Sequence, residues 1–193
     1  KLLITRNICD SDSLNNFFYP DIKKLHSPDK LTDIKKAIDR IDKALRNNEK
    51  ILIYGDYDVD GITSVVLVYS ILSKFTKNIY YYIPDRHDEG YGITIKSIDM
   101  ASQQGVTLVI ALDCGINAIE EIDYAEKKGI DYIICDHHNP SDQLPKAVAI
   151  VNPKREDCKY PFKDLSACGV AYKLIQALSN KRYIKEEDIR DKI

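Results

Sequence analysis

No stretch of this 193-residue chain reaches the ~18–20 consecutive apolar residues of a bilayer span, and no secretory signal pattern is visible. It starts at Lys1 rather than a methionine, which leaves room for a targeting segment ahead of it. Cysteine is scarce: Cys9, Cys114, Cys135, Cys158 and Cys168 are an odd set with no C-x-x-C pair. That excludes a disulfide framework or a zinc knuckle and fits a reducing compartment, so a cytoplasmic protein is expected. Cys114 and Cys135, beside strand-end aspartates, read as small packing residues rather than nucleophiles. Neither sign of charge dominates, with 28 Lys and Arg against 30 Asp and Glu. No global basic field therefore announces a nucleic-acid partner, although a local basic face can hide beside an acidic site. There is no internal repeat and no low-complexity tract. A hydrophobic content of 44% suffices for one good core with a small appendage.

What is present is organised around Lys50–Ser64, K-I-L-I-Y-G-D-Y-D-V-D-G-I-T-S. Ile51–Tyr54 is an apolar run suited to a strand buried on both faces. Asp56, Asp58 and Asp60 follow at alternate positions, Gly61 allows a tight turn, and Ile62, Val65, Val66, Val68, Ile71 and Leu72 continue as a buried helix. Three adjacent carboxylates repel one another unless a cation sits among them. Oxygen donors of this kind suit hard divalent ions such as Mg²⁺ or Mn²⁺. The spacing also opens an EF-hand loop, but Leu67 stands where that loop requires glutamate, and a strand rather than a helix precedes it. A haloacid-dehalogenase phosphatase, with Asp58 as nucleophile and Asp60 as acid/base partner, is a second rival. A solvated acidic turn is the third.

Ahead of this stretch, residues 1–48 read as a helical amino-terminal lead packed on the core. Asp10, Ser11, Asp12 and Ser13 offer helix caps before Leu14, Phe17 and Phe18, and Ile34, Ala37, Ile38, Ile41, Ala44 and Leu45 mark one face of a later helix. Lys23, Lys24, Lys30, Lys35 and Lys36 read as a solvated face rather than a phosphate track. From residue 49 onward strands and helices alternate: strand Ile51–Tyr54, helix Ile62–Lys74, strand Ile79–Ile83, helix Thr94–Gln104, strand Thr107–Leu112, a helix capped by Asn117, strand Asp131–Cys135, strand Ala147–Val151, and a closing helix Gly169–Ser179. This order predicts an α/β fold, a mainly parallel five-stranded sheet with helices on both faces.

The strand ends carry the chemistry. Asp56, Asp58 and Asp60 follow the first strand, Asp113 the third, and Asp136, His137 and His138 the fourth. In an open parallel sheet all these ends lie on one edge, where such folds bind ligands. Singly, Asp113 could cap a turn with Gly115, and a lone histidine is commonly a packed residue. Together, five carboxylates and two imidazoles are the inventory of two divalent ions sharing a bridge, with Asp113 in the middle. Two ions about 3.5–4 Å apart clamp a phosphate and activate water, so hydrolysis of a phosphodiester or phosphoanhydride is the expected reaction. The dehalogenase-type rival uses one ion, has no use for paired histidines, and wants a lysine and a further acidic pair.

D-Y-D-V-D-G-I-T-S, D-C-G-I-N and the D-H-H of Asp136–His138 resemble successive motifs of the DHH phosphoesterase superfamily. Within it, G-D-Y-D-V-D-G, R-H-D-E-G-Y-G-I (Arg86–Ile93), V-N-P-K (Val151–Lys154) and C-G-V-A-Y-K-L (Cys168–Leu174) are similar to the single-strand-specific DNA exonucleases, over nearly the whole chain. The resemblance implies a DHH domain with two Mn²⁺ or Mg²⁺ ions, degrading single-stranded DNA from its 5′ end in repair and recombination. It implies Asp56, Asp58, Asp60, Asp113 and His137 as metal ligands, with Asp56 in a place that many relatives fill with an upstream histidine. It further implies His138 on the scissile phosphate and Asp136 orienting the histidines. Arg86, Gly90 and Gly92 are candidates for holding substrate phosphate, a structural turn explaining the glycines equally well. Single-strand-binding protein and a recombination helicase are partners by the same resemblance, with no membrane. A fourth motif with another ligand aspartate, and a DHHA1 domain, are expected beyond Ile193, which marks the chain as an amino-terminal piece of a longer exonuclease. The alternatives are a phosphodiesterase for short oligonucleotides or cyclic dinucleotides, a pyrophosphatase, or a non-catalytic replication scaffold. The last is disfavoured because every ligand position present is intact.

Overall fold

The computed structural model describes residues 1–182. The closing E-E-D-I-R-D-K-I and the ligand expected after it lie outside the described residues. Helix α1 (Ser11–Phe18) is closed by Asp10, whose side chain accepts from Ser13 N while the Ser13 hydroxyl receives Asp10 N. No residue of α1 is buried. Helix α2 (Ile34–Arg46) is different: Ile34, Ala37, Ile38, Ile41 and Ala44 form the predicted apolar face and enter the core. Of the five lysines, Lys36 pairs with Asp33 and Lys24 binds Asn16, both at exposed positions.

The sheet comprises β1 (Ile51–Gly55), β2 (Ile79–Tyr82), β3 (Leu108–Leu112), β4 (Asp131–Cys135) and β5 (Ala149–Val151), in spatial order β2-β1-β3-β4-β5. Every pairing is parallel. Helices α3 (Val59–Leu72), α4 (Ile95–Gln103), α5 (Ile119–Lys127) and α6 (Ala167–Arg182) complete the described chain. Alternating strand residues feed two cores, one on each face. Ile51, Ile53, Leu108, Ile110, Leu112 and Ile133 pack against α2, α3 and α6. Leu52, Tyr54, Val109, Ala111, Tyr132 and Ile134 pack with Ile98 and Ala101 of α4 and Ile122 and Ala125 of α5. The strand order reverses between β1 and β3, and at such a switch point the two following connections diverge and leave a crevice at the carboxyl edge.

Several local expectations are corrected. Helix α3 begins at Val59, three residues before the predicted start, because Asp58 caps it. Gly61 is therefore inside the first helical turn and is not itself a turn. It is needed for close approach: a Cβ there would sit 2.3 Å from the Asp56 carbonyl oxygen. Ile62 and Val66 are 40% and 55% exposed rather than buried, since only the opposite side of α3 faces the sheet. Asn117 does not cap α5, whose cap is Ala118. Its amide instead donates to Asn139 O and its side-chain oxygen accepts from Ser141 N, fastening the turn after β3 to the loop after β4.

Candidate metal centre

The end of β1 is compressed under the start of α3. A Cβ on Gly55 would meet Val65 Cγ2 at 2.3 Å, so both glycines let the helix cross directly above the strand end. This traps Asp56 at 3% exposure, with its Oδ1 lacking any hydrogen-bond partner, and burial raises its pKa. Asp58 accepts from Gly61 N at 3.0 Å, which lowers its pKa. Asp60 reaches across to α6, where its two oxygens take Ala167 N at 2.7 Å and Cys168 N at 2.8 Å. The amino ends of two helices thus hold two of the aspartates, each supplying backbone donors and a favourable dipole.

Asp113 leaves β3 with φ 63°, a left-handed conformation that a non-glycine residue adopts at a cost of order 1–3 kcal/mol. Its backbone N still bonds Cys135 O, so the strand ladder holds while the chain bends into the crevice. The carboxyl is 2% exposed, and burial, with Asp58 and Asp60 nearby, pushes its pKa up to about 8. A carboxyl raised this far favours its protonated form at neutral pH. Four aspartates this close cannot all be ionised without a cation.

Asp136 is fully buried and is the hub of the D-H-H segment. It accepts from Ile116 N at 3.0 Å, His137 N at 2.7 Å, His138 N at 3.0 Å and His138 Nδ1 at 2.7 Å. Burial pushes its pKa up, but these hydrogen bonds outweigh it and the carboxylate stays ionised; the same contact raises that of His138. His137 Nδ1 lies 3.0 Å from Leu165 O, a carbonyl that can only accept, so the ring proton sits on Nδ1. The Nε2 of His137 faces Asp113 Oδ1 at 3.3 Å and Asp60 Oδ2 at 3.8 Å.

These residues form two overlapping triads. One donor atom from each of Asp56, Asp58 and Asp113 lies within 4.8 Å of the others, and the same holds for Asp113, His137 and His138. Asp113 belongs to both. Asp60 borders the second triad while engaged with α6. Facing acceptors, an orphaned Asp56 oxygen and a donor set without sulfur fit hard divalent cations. Cys114 and Cys135 are buried with thiol pKa values raised by burial, as packing residues should be.

Arg86, Gly90 and Gly92 stand beside the cluster. The Arg86 guanidinium lies over the Tyr57 ring at 5.3 Å and helps offset the charge of Asp56. Gly90 and Gly92 have φ of 76° and 84° with open space where a Cβ would go, so backbone conformation is reason enough for both. Three contributors escaped the sequence reading. Tyr91, between those glycines, puts its hydroxyl 3.4 Å from Asp113 O and 3.3 Å from His138 Nδ1, its ring edge-on to the imidazole. Asn152, fully buried in V-N-P-K, donates to His138 O at 2.9 Å. The flanking glycines were a signal for Tyr91; the Leu165 carbonyl, being main chain, left none.

Fold and site together define a class: a parallel α/β domain with a carboxylate–imidazole centre at the switch point of its sheet. The chain belongs to the DHH family: the family model described as "DHH family, N-terminal domain" matches residues 50–193. It is 41% identical over 177 residues to the single-stranded-DNA-specific exonuclease RecJ of Bacillus subtilis (strain 168), covering 92% of this chain and 22% of that one. Against RecJ of Escherichia coli (strain K12) it is 39% identical over 149 residues, covering 77% and 26%. The chain thus spans about a quarter of the length of these relatives. A crystal structure of exonuclease RecJ bound to manganese superposes with a TM-score of 0.70 at 28% identity, over 80% of this chain and 39% of that one. Among the described residues no helix is long and apolar enough to cross a membrane.

Proposed function

We propose that this chain is the metal-binding part of a 5′-to-3′ exonuclease that hydrolyses phosphodiester bonds of single-stranded DNA in repair and recombination. The carrying observation is the pair of triads sharing Asp113. Similarity to the RecJ exonucleases supports the substrate class, and the manganese-bound relative supports the choice of Mn²⁺ or Mg²⁺. Asp56, Asp58, Asp60, Asp113 and His137 would hold the two ions. When bound, the ions supply charge neutralisation for the phosphate and a lowered pKa for water.

The chain's own residues do the rest. Asp113 gives up its proton as the site fills, so metal binding is favoured as pH rises. His138, its pKa raised by the hydrogen bond to Asp136, presents its ring to a phosphate oxygen, and Asp136 and Asn152 fix that residue's ring and backbone. Tyr91 borders the same ring and limits where it can swing. Arg86 and the Gly90–Gly92 loop flank the substrate phosphates. The protein works in the cytoplasm, with single-strand-binding protein and a recombination helicase as partners.

The test is digestion of 5′-phosphorylated single-stranded and duplex DNA in manganese by the full-length enzyme and by residues 1–193. The full-length enzyme should release mononucleotides from the single strand alone. The 193-residue chain, which spans about a quarter of the length of its exonuclease relatives, should be slower by on the order of a hundredfold or more if the remainder supplies positioning contacts. Faster hydrolysis of cyclic dinucleotides than of single-stranded DNA by the full-length enzyme would overturn the exonuclease reading.

A further inference from the structure

A groove of about 660 Å³ opens on the α6 side of the sheet, beside the metal centre. Its lining includes Leu25, Leu67, Tyr160, Phe162, Leu165, Tyr172 and Lys173. Among the described residues no aspartate or glutamate lines it. The size is that of a built ligand site rather than a packing defect. Phe162 and Leu25 stand at its mouth, 51% and 47% exposed.

Lys173 is the unusual element. It is 2% exposed, yet among the described residues its ammonium bonds only neutral acceptors, His26 O at 2.7 Å and Gln176 Oε1 at 2.8 Å. The Tyr172 and Tyr160 rings lie 5.6 and 6.0 Å from it. Among the described residues no carboxylate pairs with it, and burial alone lowers its pKa to about 8. Other buried cations of this protein are treated differently: Arg40 and Arg155 each hold two carboxylates. Lysine is rarely buried without a counter-charge, because desolvation of the ammonium then goes uncompensated.

We infer that this groove receives an apolar peptide segment carrying one carboxylate, the acid meeting Lys173 and the apolar side chains filling the aromatic walls. Charge complementarity selects the carboxylate: the groove presents one buried ammonium, with Lys24 the other lysine in its lining. A nucleic-acid strand would need several accessible cations spaced along its phosphates, which the groove lacks. The apolar lining selects the rest of the peptide, since aromatic walls with few polar partners reward burial of aliphatic and aromatic side chains.

The groove shares the Leu165–Cys168 wall with the metal centre, through the Leu165 carbonyl and the Ala167 and Cys168 amides. Variants are therefore best made at Lys173 and Phe162, away from that wall. The experiment measures fluorescence anisotropy of a labelled peptide Gly-Leu-Phe-Glu-Leu-Phe, and of its glutamine counterpart, on the 193-residue chain in chelator. No catalysis enters the readout, so the result is independent of the exonuclease reading. The glutamate peptide should bind about tenfold more tightly than the glutamine peptide. Lys173→Met, with unchanged circular dichroism, should erase that difference by weakening the glutamate peptide alone. Phe162→Ser, at the exposed mouth, should weaken both peptides and keeps the test alive if Lys173→Met fails to fold. Equal binding of the two peptides, binding of neither, discrimination that survives Lys173→Met, or indifference to Phe162→Ser would overturn the inference.

Discussion

The two edges of the sheet handle buried charge in opposite ways. At the amino edge, Arg40 of α2 bonds Glu49 at 2.7 Å and Asp131 at 2.6 Å, and Thr107 bonds Glu49 at 2.9 Å. Glu49, Thr107 and Asp131 stand just before β1, just before β3 and at the start of β4, so one guanidinium ties three strands together. Each carboxylate there faces a cation; burial works against both Arg40 and Glu49, but their bonds hold the Arg40 pKa above and the Glu49 pKa below the ordinary value. At the carboxyl edge Asp56, Asp58, Asp60 and Asp113 converge, and among the described residues no lysine or arginine is in ion-pair contact with them. The described structure tolerates this by keeping a proton on Asp113 and by turning two helix amino ends toward Asp58 and Asp60. One edge is arranged for stability, the other for a charge the chain itself does not supply.

That contrast is broken most severely at Asp113. Asp113→Ala in the full-length enzyme should reduce manganese-dependent hydrolysis by about 10³-fold or more, since both triads lose their common member. Circular dichroism should remain that of the folded protein, and near-normal turnover would dismiss the two-ion assignment.

At the opposite edge the expected damage is to stability. Arg40→Ala leaves Glu49 and Asp131 without their cation and should cost about 2–4 kcal/mol in urea denaturation, Asp131 being partly solvated. Metal affinity, read by calorimetry on the folded fraction, should not change; a change would mean that the edges are coupled.

A smaller effect sharpens the electrostatic side of the contrast. The Asp113 carboxyl is raised in the folded protein, so the folded state binds more protons than the unfolded state between about pH 4 and about 8. Stability of the metal-free chain should therefore fall as pH rises through that window, by about 1–2 kcal/mol. Asp113→Asn should flatten the slope, and saturating Mn²⁺ should reverse it by favouring the ionised carboxylate. Denaturation series in chelator at pH 5, 6.5 and 8 measure it.

The smallest effect belongs to Tyr91. Tyr91→Phe removes a hydroxyl placed between Asp113 O and His138 and should lower kcat about three- to tenfold. KM and thermal stability should stay close to those of the parent. A rise in KM with kcat unchanged would instead assign Tyr91 to substrate binding.

Much of this was legible from order and spacing. The apolar runs of β1 and β3, and of β4 after Asp131, are recognisable because strands buried on both faces carry few polar residues, and the aspartates stand out because they follow such runs. Helix boundaries were less visible. The start of α3 was misplaced because Gly61 reads as a turn in isolation, whereas it is required by the Asp56 carbonyl 2.3 Å from its missing Cβ. Asn117 reads as a cap from its neighbours, but its side chain is claimed by Asn139 and Ser141, some twenty residues away.

By itself the sequence determined which donors reach the carboxyl edge, because parallel crossovers place every strand end on the same side. It also determined their kind, oxygen and imidazole, and so the hardness of the ions they suit. Only the tertiary structure decided their state. The Leu165 carbonyl sets the His137 tautomer, the α6 amides engage Asp60, and burial puts a proton on Asp113. Each of those depends on which groups are neighbours across the fold, and proton affinity is set by neighbours and solvent rather than by residue type.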